Sequence, residues 1–140
     1  MDPFISKKLK IKTTKSSGRG VFANIKIEKG EIIEISPLII IPFFDLKKLN
    51  KTIISYYWYF FTKKECAIGL GLSSLYNHSD DNNSEFVILN KFKMIKIIAT
   101  KEIKKGEEVR INYGYDVRKH NIKKFFLSNK KVRPTSGKRD

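Results

Sequence analysis

Apolar residues in the first third of the chain come in short alternating pieces. Leu9 and Ile11, then Val21, then Ile25 and Ile27, then Ile32, Ile33 and Ile35 are set apart by glycine or charged residues. That spacing predicts strands and hairpins rather than helices. Gly18-Arg19-Gly20 and Glu28-Lys29-Gly30-Glu31 read as the turns between them. Phe43–Phe61 is the best helical or irregular stretch, with Leu46, Leu49, Ile53, Ile54 and a run of aromatics. From Cys66 the apolar pieces shorten again into AIGLGLSSLYN, EFVILN, MIKIIA and EEVRINYG, with Lys104-Lys105-Gly106-Glu107 turning into the last. The pattern predicts a mainly β domain over residues 5–117 with a short helical insertion, followed by a basic C-terminal segment, 118–140.

Composition narrows the classes. At 140 residues, 41% hydrophobic and 12% aromatic, the chain is long enough for one domain with a real core, which excludes wholesale disorder. The lone Cys66 excludes an internal disulfide framework and a Cys-rich zinc cluster. The apolar run Ile32–Phe44 is too short for a membrane span and is interrupted by Glu34, Pro37 and Pro42. The opening MDPFISKKLK lacks an apolar signal core, so a soluble intracellular protein is expected, with no membrane partner.

The 29 Lys and Arg outnumber 14 Asp and Glu, giving a net charge of +15. Such a field favours polyanions such as nucleic acid, chromatin or ribosomes, although a general bias towards Lys, Ile and Asn explains the counts equally well. Lys119–Asp140 differs, because there the basic residues are concentrated beside Pro, Ser and Gly. It reads as an arm able to hold phosphates by counterion release, without reading sequence.

Three segments have residue types that packing explains poorly. In Gly18-Arg19-Gly20-Val21-Phe22, glycine lets the backbone approach a ligand and expose its N–H groups, although alone it reads as an ordinary turn. Leu75-Tyr76-Asn77-His78-Ser79-Asp80-Asp81-Asn82-Asn83 gathers Asn, His and Ser after an apolar run. Burying such groups unpaired costs roughly 2–7 kcal/mol each. An Asx-rich loop bonded to itself is the plainer reading, and the Asn-x-Ser triplets matter only in a secreted protein. With only His78 and His120 in the chain, a metal site is not expected. Gly106–Tyr115 ends a strand in Tyr-Gly-Tyr, which places phenols where they can orient an amine, although edge-strand aromatics are commonplace.

In this order and at these separations the three segments together resemble the SET domain of protein lysine methyltransferases. GRGVFA resembles the family's N-terminal cofactor turn, NHSDDNN its Asn-His-Ser-Cys-x-Pro-Asn motif, and GEEVRINYG its Gly-Glu-Glu-Leu-Thr-x-Asp-Tyr-Gly motif. The length resembles compact viral and bacterial members without pre-SET or post-SET zinc domains. Asp80 stands for the usual Cys, Asn82 for Pro and Asn112 for an acidic residue, so the loop is expected to be less rigid. The resemblance implies short sheets in a β-clip-like arrangement, with the C-terminal segment threaded through a loop.

It also implies methyl transfer from S-adenosyl-L-methionine to a lysine ε-amine, most readily in a histone tail or nucleosome. Tyr113 would be the catalytic phenol. Gly18, Arg19, Gly20, Asn77, His78 and Tyr113 would bind the cofactor. Tyr57, Phe86 and Tyr115 would line the lysine channel, with the register of Tyr57 open by one or two residues. Phe125 or Phe126 would close over the cofactor from the C-terminal side. Phenylalanine at Phe86 implies higher methylation states. Expected partners are a protein substrate, DNA through the basic tail and a second copy of the chain. The expected compartment is the nucleus, the host nucleus for a viral chain, or the cytoplasm for a bacterial one. A catalytically silent SET-fold binding module and a methyltransferase of non-histone proteins are the alternatives, with a nucleic-acid-binding protein behind them.

Overall fold

The computed structural model describes residues 1–15 and 18–113. Expectations for Tyr115, Phe125, Phe126, the threaded segment and the basic tail fall outside these residues. The chain is mainly β. The strands are β1 (Phe4–Ile5), β2 (Leu9–Thr14), β3 (Gly18–Ala23) and β4 (Ile32–Pro42), then, after a short helix α1 (Phe43–Leu49), β5 (Trp58–Thr62) and β6 (Glu65–Gly69). β7 (Asn77–His78), β8 (Ser84–Leu89), β9 (Met94–Ala99) and β10 (Glu108–Ile111) complete them. Their hydrogen-bonded order is β2-β3-β10-β8-β9-β4-β6-β5, with β1 beside β4 and β7 beside β10.

β10 is the junction. It pairs antiparallel with β3 and parallel with both β7 and β8, bringing distant parts of the chain to one point. The turns Glu28–Glu31 and Lys104–Glu107 form where the sequence predicts them, with Gly30 and Gly106 at positive φ. Just before each, Ile27 and Ile103 exchange two 2.9 Å backbone hydrogen bonds and are fully buried, locking the two turns side by side.

Two expectations need correction. Gly18-Arg19-Gly20 is not a turn but the start of β3, because its backbone pairs with Lys12–Thr14 of β2; only Gly18 keeps a positive φ, 69°. The helical reading of Phe43–Phe61 holds for α1 and a 3-10 turn at Ile53–Tyr56, after which the chain is strand. Trp58–Thr62 forms a hairpin with β6 across Lys63-Lys64, and its aromatic residues suit a strand. In α1, Asp45 lies in the first turn and Lys47 and Lys48 in the last, matching the helix dipole, while Leu46 alone is buried. Among the described residues no helix is long and apolar enough to cross a membrane.

Candidate active site

β7 and β10 run parallel, with Asn77 beside Arg110 and His78 beside Ile111, so the two late motifs meet as neighbouring strands. Asn77 is 4% exposed. Its Nδ2 donates to the Arg19 carbonyl at 3.3 Å and to the Glu108 carboxylate. Its Oδ1 is buried and accepts no hydrogen bond. A buried acceptor left this way costs about 1–3 kcal/mol, so it suits a ligand that brings a donor.

Gly20 lies directly under this pair. A Cβ there would stand 2.4 Å from Glu108 Oε1 and 2.8 Å from Asn77 Nδ2, so any side chain would displace both. Of the GRG segment, then, Gly20 supplies clearance and Arg19 a backbone acceptor. Glu108 was not among the residues singled out from sequence, although it lies within the quoted motif. Its side chain is only 7% exposed, and it also accepts from Arg110 Nη2 at 2.9 Å and Nε at 3.1 Å.

Tyr113 follows β10 and is 4% exposed. Its hydroxyl donates to the Tyr76 carbonyl. Its N–H donates to His78 Nδ1 at 3.2 Å, and the imidazole stacks on its ring with centroids 5.1 Å apart and planes at 26°. Because Nδ1 accepts, the neutral ring carries its proton on Nε2, which then donates to Asp80 Oδ1 at 3.0 Å. Asp80, where the family pattern has Cys, thereby orients His78.

The rest of the Asx loop carries hydrogen bonds as well. Asn82 donates to the Ser84 carbonyl, and Asn83 both donates to the Glu108 carbonyl and accepts from the Arg110 N–H, each at 2.9 Å.

The aromatic neighbours of Tyr113 include Tyr59, at 6.3 Å and edge-on, and Tyr59 in turn packs on Phe86 at 5.1 Å. The ring of Tyr57 instead meets that of Tyr56, edge-on at 6.5 Å. Tyr59, in β5, thus joins Phe86 and Tyr113 in one aromatic group, within the one or two residues by which the register of Tyr57 is open. The Tyr59 hydroxyl donates to the Ser73 carbonyl.

Behind these phenols lies Glu34, fully buried. Its carboxylate accepts from Leu72 N–H at 2.9 Å, from the Tyr76 hydroxyl at 2.6 Å, and from Ser36 Oγ and the Ser73 N–H. Burial pushes its pKa above the usual carboxylate range, and these donors pull it back. The Tyr76 phenol is pushed well above its ordinary value by its own burial and by Glu34. Sequence reading missed both; an acid inside the apolar run IIEISPLIII was the available signal.

The SET-domain family profile matches residues 18–114. The chain belongs to the SET-domain family. It is 33% identical over 113 residues to the Schizosaccharomyces pombe histone-lysine N-methyltransferase specific for H3 lysine-37, a match spanning 80% of this chain and 77% of that one. It is similar to the solved structure of a Plasmodium falciparum protein described as a candidate histone methyltransferase. That match has 34% identity and a TM-score of 0.63, and covers 82% of this chain and all of the other. An apo PRC2 structure with substitutions in Ezh2 matches at 25% identity and a TM-score of 0.67, covering 86% of this chain but 16% of that one. The expectation of a mainly β SET domain of the protein lysine methyltransferase class stands. Among its described residues, this SET domain has no cluster of three or more metal-ligating side chains.

Proposed function

We propose that this SET domain methylates a histone lysine, with S-adenosyl-L-methionine as donor, Asn77 as a cofactor ligand and Tyr113 as the catalytic phenol. The observation that carries the reading is the meeting of β7 and β10. It sets an unsatisfied buried acceptor, Asn77 Oδ1, on the strand beside the one that leads into Tyr113, a buried phenol fixed by a backbone carbonyl. The S. pombe and P. falciparum relatives favour a histone substrate and a nuclear location.

The residues fit the cofactor. Its amino groups are donors of the kind Asn77 Oδ1 lacks, and Gly20 keeps the backbone clear beneath the Asn77–Glu108 pair. S-adenosyl-L-methionine supplies a methyl group activated by its sulfonium. What the chain supplies is placement, and near-attack alignment is worth about 7–11 kcal/mol in favourable cases. Tyr113, held at both its N–H and its O–H, keeps a fixed phenol oxygen as an acceptor for the substrate amine. Tyr59 and Phe86 form the aromatic wall, with Tyr57 two residues before Tyr59 and Tyr115 two after Tyr113 as its further candidates. An amine entering such a wall loses water, which lowers its pKa from about 10.4 towards the neutral, nucleophilic form. The basic segment Lys119–Arg139 would add salt-sensitive contact with nucleosomal DNA.

The test is methyl transfer from labelled S-adenosyl-L-methionine to core histones and nucleosomes, with mass spectrometry to find the lysine. Tyr113→Phe is expected to lower kcat on the order of 10²–10³-fold, with cofactor Kd nearly unchanged. Cofactor binding without transfer to either substrate would point to a binding module or a non-histone target. Absence of cofactor binding would remove the reading. Phe86→Tyr is expected to shift products towards monomethyl-lysine, and an unchanged product ratio would count against Phe86 as a channel residue.

A further inference from the structure

We propose that Glu34 is a positioning residue for methyl transfer: its carboxylate fixes the 70–76 turn, whose Ser73 and Tyr76 carbonyls hold the Tyr59 and Tyr113 phenols. The proposal rests on Tyr113 being the catalytic phenol. Glu34 itself reaches neither the Tyr113 ring nor its hydroxyl by any hydrogen bond of its own. It acts on the turn.

The geometry is specific. One carboxylate oxygen takes the Leu72 N–H and Ser36 Oγ, and the other takes the Tyr76 hydroxyl. The Ser73 N–H points to the same group. Those bonds capture both ends of the turn, Leu72–Ser73 at its start and Tyr76 at its finish. From between and beside them come the carbonyls of Ser73 and Tyr76, each the acceptor of one phenol of the aromatic wall. A shift of the Tyr76 backbone would move the acceptor on which the Tyr113 hydroxyl is set.

Two features show how closely the backbone is fitted to this carboxylate. The β4–β9 register slips between Ile32 and Glu34, and the consecutive residues Ile33 and Glu34 are both fully buried. A regular strand with one covered face does not bury neighbours in sequence, so the irregularity is what turns Glu34 inwards. Across from it, Gly71 has φ +90°, and a Cβ there would stand 2.6 Å from Ser36 Oγ and 2.8 Å from Glu34 Oε1. Only glycine lets the turn pass over the acid. Stability alone does not call for such an arrangement, because a buried charge with its partners is often no better than an apolar replacement of equal volume. A fixed turn is what the acid provides.

The experiment uses Tyr76→Phe, which removes one hydroxyl and keeps the backbone carbonyl, and Glu34→Gln, which keeps the shape but puts an amide nitrogen against donors. In full-length protein labelled with ¹³Cζ-tyrosine, the Tyr113 signal is assigned by its loss in Tyr113→Phe. Both variants are expected to move or broaden that signal. With core histones as substrate they are expected to lower kcat on the order of tenfold while leaving the Kd for S-adenosyl-L-methionine within about twofold. In a Tyr113→Phe background the same changes are expected to cost less than about twofold, since the phenol through which they act is gone. A Tyr113 signal that stays put in both variants overturns the proposal. So does an equal loss of kcat in both backgrounds, which would mark general structural damage. A wild-type chain that transfers no methyl group, but whose Tyr113 signal moves in the variants, would strike the functional reading while the tie between Glu34 and Tyr113 stands.

Discussion

The two faces of the β4-β6-β5 sheet are packed by different rules, although the same strands build both. Trp58 and Cys66 enter a small cluster with Ile41 and Leu46, against which Phe43, Leu49 and Ile68 pack. Their immediate neighbours, Tyr59 and Ala67, enter the large cluster with Tyr76 and Tyr113. Successive residues of a strand face opposite ways, so one step along β5 separates a structural indole from a wall residue of the site. The small cluster is filled mainly by shape, including the edge-on contact of Trp58 with Phe60 at 5.0 Å, and a directed bond runs from Trp58 Nε1 to Asn50 Oδ1 at 3.3 Å. The large one carries Glu34, Asn77 and three phenols, each bonded in a particular direction. The apolar face holds the sheet together, while the polar-laced face holds atoms in place.

The strongest way to break this contrast is to cut into each face and ask what is lost. Leu46 is the buried residue of α1 in the small core, with Phe43 and Leu49 packed against it at partial exposure. Leu46→Ala is expected to cost about 2–5 kcal/mol of stability by denaturant unfolding. At a temperature where the variant is folded, kcat should match the wild type. A large loss of kcat in fully folded Leu46→Ala would show that the two faces are not separable.

The opposite cut is Asn77→Ala. It removes an acceptor that the folded protein leaves unsatisfied, together with donations to Arg19 and Glu108. Affinity for S-adenosyl-L-methionine by calorimetry is expected to fall about 10- to 100-fold, a loss of roughly 1.4–2.7 kcal/mol. Tm should move far less than in Leu46→Ala. Unchanged affinity would take Asn77 out of the binding site.

Cys66 sharpens the comparison from the apolar side. Burial pushes its thiol up to about 12, so almost no thiolate exists at neutral pH. Alkylation at pH 8 is expected to proceed only as fast as the protein opens, and to become rapid in denaturant. The sign for stability follows: a folded value above the unfolded one near 8.5 helps below pH 8.5 and is lost as pH rises towards 12. Rapid labelling of the native protein would show that the small cluster opens on its own.

What could be read from sequence follows the range of the interactions responsible. The turns at Gly30 and Gly106 and the short strands around them are local signals and appear where expected, and the late motifs with Asn77, His78 and Tyr113 are equally local. Tyr59 was hidden because its ring neighbour Phe86 lies far along the chain, and no local pattern in the aromatic run singles it out. Gly18-Arg19-Gly20 looked like a turn because its pairing partner lies earlier in the chain and its steric neighbours, Asn77 and Glu108, far later. Glu34 was hardest to see. In the sequence it only interrupts an apolar run, whereas in the fold an irregularity in β4 aims it at the Leu72 N–H and the Tyr76 hydroxyl, at sequence separations of 38 and 42.

A control outside both faces is the ion pair of Lys8 with Glu31, 2.7 Å apart and about a third exposed. The bond from Lys8 and one from the Glu28 N–H hold the Glu31 carboxyl below its usual range. Its contribution is therefore present above the unfolded value near 4.5 and fades as pH falls through the lower folded one. Water and salt weaken such a pair, so Glu31→Gln should cost no more than about 1 kcal/mol at pH 7 and less still in high salt. The wild type and the variant should converge in stability at low pH. A larger cost would make this surface pair a third structural element, since Glu31 also joins the turn that Ile27 and Ile103 lock in place. A cost within the expected limit leaves the contrast between the two faces as the one that organises the molecule.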